Sequence, residues 1–303
     1  MKKLLLTLII LSALNAQGAV FNSFSVGNSL TGQSLQHIGD DISELAADRG
    51  VTLNWAQHLK CGSSLTNIVN NPTTVCVGPS SYGYFGAALP NNQWDAVTLE
   101  AYGDPFPDAR SSTKTLIDLT RSNPANAHTK IYMLQIWPQG ASSDSFATRW
   151  TRLYDPSVDD YESRWSRQYS TDLLMNVRSD NTGDIGMVPT TEVLYQLDLL
   201  ARASKISAFS TVDQIYADAN HLNPIGSYIA RMTMMATLLD QSPVGLPLQS
   251  QTVGLLNAAD TLLIQQTVWN VVSSDPATTL VPEPSCLALL VGAFSLLRRR
   301  RSR

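Results

Sequence analysis

The sequence contains few charged residues, few cysteines and few histidines. Of its 303 residues only 15% are charged, three are cysteine and four are histidine. Neither the cysteines nor the scattered histidines have the spacing of zinc ligands, so we expect no metal site. Glycine loops for dinucleotides, Walker-type lysines and fixed-period repeats are absent as well, so we expect no cofactor. The hydrophobic share of 44% is that of a folded globular protein and excludes a disordered chain.

Basic residues are scarce away from the two ends of the chain. Seven of the 21 lysines and arginines lie at Lys2, Lys3, residues 298–301 and Arg303, which leaves 14 basic and 25 acidic residues between them, a net charge of −11. Proteins that bind nucleic acid carry a basic surface, and this span does not provide one. We therefore expect no nucleic-acid partner.

The N-terminal segment has the layout of a secretory signal. Two lysines are followed by an apolar run over residues 4–14 and then by the small residues Ala16, Gly18 and Ala19. The apolar run is too short for a permanent membrane anchor, and small residues are typical of a cleavage zone. The sequence predicts a signal peptide over residues 1–19 and an exported domain after it.

The C-terminal segment, residues 281–303, has three parts in a fixed order. Pro282-Glu283-Pro284 precedes an apolar stretch over residues 285–297, which ends at four consecutive arginines. This order resembles the PEP-CTERM sorting signal of Gram-negative bacteria. The resemblance implies export, transient membrane anchoring, processing by an exosortase-type enzyme and delivery to the cell surface, outer membrane or extracellular polymer. The alternative is an ordinary C-terminal transmembrane anchor that is never cut.

Two cysteines remain in the exported domain once Cys286 in the sorting segment is set aside. Because disulfides persist outside the cytoplasm, Cys61 and Cys76 are expected to form one that closes a short loop.

Strand-like and helical segments alternate along residues 20–240, the predicted main domain. The predicted strands are residues 21–26, 51–56, 94–99, 130–135 and 186–189. The predicted helices are residues 35–49, 111–121, 191–203 and 224–239. This alternation predicts an α/β fold, a parallel sheet covered by helices on both faces. A further helix over residues 255–272 and a linker occupy the predicted C-terminal region, residues 241–280.

Two short motifs carry candidate chemistry. In Gly27-Asn28-Ser29 a serine follows the first strand behind a glycine that permits a tight turn; an alternative is that this turn only caps a helix. In Asp218-Ala219-Asn220-His221 an aspartate precedes a histidine by three residues. A carboxylate that orients an imidazole towards a serine makes that hydroxyl a nucleophile.

These motifs together resemble the first and last blocks of the SGNH (GDSL-type) hydrolases, over about residues 20–240. The resemblance implies a flavodoxin-like three-layer α/β/α fold, no metal, and ester hydrolysis through an acyl-enzyme. It implies that Ser29 is the nucleophile, His221 the base and Asp218 its orienting partner. It also implies that the backbone N–H of Gly62 contributes to an oxyanion hole together with that of Ser29.

One position departs from the family pattern. The family places an oxyanion-binding asparagine after the third strand, where this chain has Glu100. An ionised carboxylate cannot donate a hydrogen bond, so Glu100 would have to be protonated to take that role. Alternatively, the backbone N–H groups of Ser29 and Gly62 form the hole alone.

Three aromatic residues are candidates for substrate binding. Tyr82 and Tyr84 lie in a glycine-rich loop, and Trp137 follows the fourth strand, where a role in the core is an alternative. The leading functional hypothesis is an exported serine esterase that removes acyl groups from a carbohydrate or another small ester. The competing hypothesis is a surface-displayed glycan-binding or matrix protein on the same scaffold.

Overall fold

The computed structural model describes residues 18–139 and 166–278. The predicted signal peptide, apart from its last two residues, and the whole predicted sorting segment lie outside these ranges. Among the described residues no helix is both long and apolar enough to cross a membrane.

The centre of the fold is a five-stranded parallel sheet. Its strands are β1 (Ala19–Gly27), β4 (Val51–Leu59), β5 (Ala96–Leu99), β6 (Lys130–Leu134) and β7 (Ile185–Val188). They lie in the order β4-β1-β5-β6-β7, and every neighbouring pair is parallel. Counted along the chain this is the order 2-1-3-4-5 of flavodoxin-like sheets, in which ligands bind beyond the carboxyl ends of the first and third strands. The predicted fold class is confirmed.

Helices cover both faces of the sheet. One face carries α1 (Ser29–Leu35), α2 (Ile42–Ala47), α7 (Thr190–Arg202), α8 (Pro224–Leu239) and α9 (Ala258–Ser274). The other face carries α3 (Leu65–Asn70), α4 (Phe85–Asn91), α5 (Phe106–Arg121) and α6 (Arg167–Asp180). Two separate hydrophobic clusters, one on each side of the sheet, fill the spaces between these layers. Burial of apolar surface on both faces explains why the strands are apolar along most of their length.

The predicted helix over residues 35–49 is wrong in its first half. Helix α1 ends at Leu35, and a small hairpin of β2 (Gln36–His37) and β3 (Asp40–Asp41) follows before α2 begins. Ile38 and Gly39 have positive φ angles of 46° and 91°, which no α-helix accommodates. Asp41 then starts α2 with a capping box to Glu44, a local signal that overrides the apolar spacing.

The loop after β4 is closed by a disulfide between Cys61 and Cys76, as expected. Residues 70–92 are rich in glycine, proline, serine and tyrosine, which predicts a long loop, but Phe85–Asn91 within them forms α4. In the last third of the chain, the predicted bounds of helix 224–239 agree with those of α8. Asn223 caps α8 through bonds from the N–H groups of Ile225 and Gly226.

Candidate active site

Ser29, His221 and Asp218 form a continuous hydrogen-bonded chain at the carboxyl edge of the sheet. His221 Nε2 lies 2.9 Å from Ser29 Oγ, although the two residues are 192 positions apart in the sequence. On the other side of the ring, His221 Nδ1 lies 2.9 Å from Oδ2 of Asp218. A histidine held between a carboxylate and a hydroxyl can accept the hydroxyl proton and return it later.

Asp218 is held in its ionised form by its own turn. Its Oδ1 accepts the backbone N–H of Asn220 at 2.7 Å and that of His221 at 2.8 Å. These two bonds, with a smaller contribution from the His221 ring, lower the pKa of Asp218 to about 2. The carboxylate therefore remains charged at every pH at which a neutral histidine can act as a base.

Ser29 is the first residue of α1, and Asn28 is its N-cap. Asn28 Oδ1 accepts the N–H of Leu30 at 2.9 Å, and its Nδ2 donates to the carbonyl of Ser63 at 3.2 Å. The asparagine, rather than the serine, therefore caps the helix, which leaves the Ser29 hydroxyl to its contact with His221. Asn28 also ties the turn after β1 to the turn after β4.

Gly62 lies in the turn after β4, directly before Ser63, whose carbonyl accepts the hydrogen bond from Asn28. Gly62 has a φ of +63°, a conformation that favours glycine, and an added Cβ would meet no atom within 4 Å. Within residues 18–139 and 166–278, neither the Ser29 N–H nor the Gly62 N–H donates to another protein atom. Both groups are thus free to bind an oxyanion, and that role stays a prediction.

Glu100 lies underneath the turn that carries Ser29. It is 1% exposed, and its Oε2 accepts hydrogen bonds from the backbone N–H groups of Asn28 and Thr31, each at 3.0 Å, and from the Thr31 hydroxyl. Burial is the main cause that raises its pKa to about 7, and the three hydrogen bonds oppose that rise. The contacts of Glu100 thus give it a part in holding the turn, whichever residues bind an oxyanion.

Position 27 has no room for a side chain, because the side chains of Thr31 and Glu100 lie against its backbone. A Cβ at position 27 would overlap Thr31 Oγ1 and lie 2.5 Å from Glu100 Oε2. The glycine of the Gly-Asn-Ser motif therefore makes room for a buried carboxylate.

The loop with His221 is held from two sides. Trp137 is fully buried, and its Nε1–H donates to the carbonyl of Asn220 at 2.8 Å. Gln33, on the helix that begins with Ser29, bonds to the backbone of Leu222. The sequence offered no signal for Gln33, because its partner lies 189 residues away.

The predicted substrate-binding aromatics have different surroundings. Tyr82 is 38% exposed and packs edge-on against Trp94, at a ring distance of 5.0 Å, near the amino end of β5. The Tyr84 ring packs edge-on against the buried ring of His58, with 5.8 Å between the ring centroids. Burial lowers the pKa of His58 to about 4, so this histidine is neutral near pH 7. The substrate-binding roles of Tyr82, Tyr84 and the buried Trp137 stay predictions.

The described part of the chain contains no group of three or more histidine, cysteine, aspartate or glutamate side chains placed to hold a metal ion. What it does contain is a three-layer α/β/α sandwich with a hydrogen-bonded serine, histidine and aspartate at the carboxyl edge of its sheet.

No protein-family model matches the sequence, and no curated protein matches it either. Among solved structures, a DUF4886 family protein from Bacteroides uniformis ATCC 8492 is similar with a TM-score of 0.55. The alignment covers 84% of this chain and 95% of that one at 15% identity. A protein from Slackia heliotrinireducens, provisionally described as an SGNH hydrolase, aligns over 71% of this chain and 97% of its own at 18% identity, with a TM-score of 0.42. The first likeness shows a shared fold.

Proposed function

We propose that this protein is an exported serine hydrolase that cleaves carboxylic ester bonds through an acyl-enzyme. The observation that carries the proposal is the contact between His221 Nε2 and Ser29 Oγ at 2.9 Å, with Asp218 on the opposite ring nitrogen. These groups lie where flavodoxin-like sheets bind their ligands, at the carboxyl end of β1.

The reaction follows from the positions of these groups. Ser29 Oγ attacks the ester carbonyl carbon while His221 Nε2 takes the serine proton, and Asp218 stabilises the resulting imidazolium. The backbone N–H groups of Ser29 and Gly62 bind the oxyanion of the tetrahedral intermediate. His221 then gives its proton to the departing alcohol, which leaves an acyl group on Ser29. A water molecule, deprotonated by His221, releases the acid and restores the serine.

The proposed substrate is an acylated carbohydrate, with acetate as the acyl group. Support for it comes from the SGNH resemblance of the two motifs and from the PEP-CTERM resemblance of residues 281–303, which predicts delivery to the cell surface or extracellular polymer. An exposed site with an ionised aspartate suits a polar, water-facing substrate better than a long acyl chain; the Asp218 side chain is 57% exposed.

Labelling with a fluorophosphonate probe tests the nucleophile without the true substrate. We expect the probe to modify Ser29, as mapped by mass spectrometry, and the protein to hydrolyse p-nitrophenyl acetate. Ser29→Ala should abolish both, whereas Ser111→Ala, at an exposed position on α5, should change neither. Equal ester turnover by the wild type and Ser29→Ala would exclude the mechanism. Retention of glycans without turnover, unaffected by Ser29→Ala, would favour the glycan-binding alternative.

A further inference from the structure

Gln33 joins the helix of the nucleophile to the loop of the base. Gln33 is 7% exposed, and its side chain reaches Leu222, the residue directly after His221. Gln33 Oε1 accepts the N–H of Leu222 at 3.1 Å, and Gln33 Nε2 donates to the carbonyl of Leu222 at 2.9 Å. The same nitrogen lies 3.3 Å from Ser227 Oγ at the start of α8.

This side chain bonds to Leu222 as a neighbouring β-strand would. A primary amide has one acceptor and one donor side by side, which match the N–H and C=O of one residue. Leu222 is fully buried, and on its other side it is paired with Tyr216 in an isolated antiparallel bridge. The bonds of that bridge are made by the flanking residues: the His221 carbonyl accepts the Ala217 N–H, and the Asn223 N–H donates to the Ile215 carbonyl. Leu222 is therefore fixed from both sides, and the direction in which the chain leaves His221 is fixed with it.

The spacing on both partners places this pair alongside the reacting groups. Ser29 and Gln33 are four residues apart on α1, so that they project from the same side of the helix. His221 and Leu222 are adjacent in the sequence. The Gln33–Leu222 pair is thus a second connection between the same two segments, one helical turn from the Ser29–His221 contact and without a part in the chemistry.

We propose that Gln33 is a positioning residue that sets the distance between Ser29 Oγ and His221 Nε2. The inference rests on the proposed function, because the position of these atoms matters to a serine hydrolase. A misplacement of catalytic groups by about 1 Å costs on the order of 100-fold in rate.

Gln33→Met is the first test, because methionine fills a similar volume and removes both hydrogen bonds to Leu222 as well as the one to Ser227. Gln265→Met is the matched control. Gln265 is also buried, donates to the carbonyl of Leu246 at 2.7 Å and accepts the N–H of Gly245 at 2.8 Å, but it holds a loop that lacks the candidate catalytic residues.

Both substitutions should lower the midpoint of thermal unfolding. Only Gln33→Met should slow fluorophosphonate labelling of Ser29, by about 10- to 100-fold. In the hydrolysis of p-nitrophenyl acetate by this variant, kcat should fall by a larger factor than the factor by which KM changes. Where the wild type is labelled, an equal labelling rate in Gln33→Met, or an equal loss in Gln265→Met, would overturn the proposal.

Gln33→Glu provides a readout that general structural damage does not move. A protonated carboxyl has the same shape as the amide and offers one donor and one acceptor, whereas the ionised form offers only acceptors and faces the Leu222 carbonyl. The labelling rate of Gln33→Glu relative to the wild type should therefore rise as the pH falls. A ratio independent of pH contradicts the proposed positioning role.

Crystal structures of the wild type and Gln33→Met separate this inference from the proposed function. We expect the Ser29 Oγ–His221 Nε2 distance of 2.9 Å in the wild type and a longer one in the variant. An unchanged distance overturns the inference even if the wild type is an esterase. A longer distance in the variant, with no labelling of the wild type, supports Gln33 as the positioning residue and overturns the esterase proposal.

Discussion

Thr31 donates two hydrogen bonds to Glu100, one from its backbone N–H and one from its hydroxyl, and both end on Oε2. The N–H of Asn28 ends on the same oxygen. A single buried carboxylate oxygen therefore gathers three donors from the turn around Ser29. The other oxygen, Oε1, is buried without a hydrogen-bond partner among the described residues. The protonation state of Glu100 therefore affects the hydrogen bonds on both sides of Ser29 in this turn.

Stability should fall with rising pH because of Glu100. Its pKa is raised from 4.5 to about 7 by burial. An acid whose pKa is higher in the folded state stabilises the fold fully below its unfolded pKa and loses that contribution as the pH rises through its folded pKa. The contribution amounts to about 3 kcal/mol at 1.4 kcal/mol per pKa unit.

Glu100→Gln should flatten this dependence, since the amide oxygen can still accept the three hydrogen bonds but does not ionise. Urea unfolding at pH 5 and pH 8 measures the difference, and Asp213→Asn, at an exposed carboxylate, is the control. The same change in unfolding free energy between the two pH values for Glu100→Gln and the wild type would contradict the prediction.

Asp218→Asn should slow ester hydrolysis by about 100- to 10,000-fold. The amide cannot balance the imidazolium that forms at His221 in the transition state, and it can hold the ring in the wrong tautomer. The fold should be retained, because the side chain is exposed and its bonds are local to one turn. Steady-state kinetics with p-nitrophenyl acetate provide the measurement. Wild-type kcat/KM in Asp218→Asn would show that the carboxylate has no part in the reaction.

Gly27→Ala should destabilise the protein by about 1–3 kcal/mol, because the added methyl group overlaps Thr31 and Glu100. Gly86→Ala makes the same chemical change on α4, where nothing lies within 4 Å of the new methyl group. That variant should gain about 0.5 kcal/mol, since alanine favours helix more than glycine does. Thermal unfolding of both variants is the measurement, and the prediction fails if Gly27→Ala is as stable as the wild type.

Replacing Cys61 and Cys76 together by serine should lower the unfolding free energy by about 3 kcal/mol, the effect expected for a loop of this length. The two cysteines are 15 positions apart, and the loop they close begins next to Gly62. We therefore also expect slower labelling of Ser29, through looser placement of the Gly62 N–H. Urea unfolding with and without reductant checks the stability effect, and the doubly substituted protein should no longer respond to the reductant.

The sequence predicts those parts of this fold that depend on local signals. Helix α8 has a capping asparagine, a proline in its first turn and a long apolar run, and its predicted bounds agree with the structure. The hairpin before α2 was missed because Ile38 fits the helical spacing and only its positive φ angle excludes it.

In the site, motifs and family resemblance identified Ser29, Asp218 and His221, and the structure brings these three together. The contacts of Glu100 and Gln33 could not be predicted, because most of their partners are backbone groups of residues far away in the sequence, which carry no sequence signal. Gln33 meets Leu222 only when the last third of the chain has folded against the first helix. Glu100 lies under the Ser29 turn because the strand before it, β5, is a neighbour of β1 in the sheet.

The proposed nucleophile and its base come from distant parts of the chain, since Ser29 and His221 are 192 positions apart. A nascent or truncated chain that ends before residue 221 carries the serine without the group that removes its proton. Folding of the first strands cannot complete the site, since the histidine arrives with the segment before α8. On the proposed mechanism, a copy of the protein that ends before residue 221 therefore lacks the base and should not be acylated at Ser29.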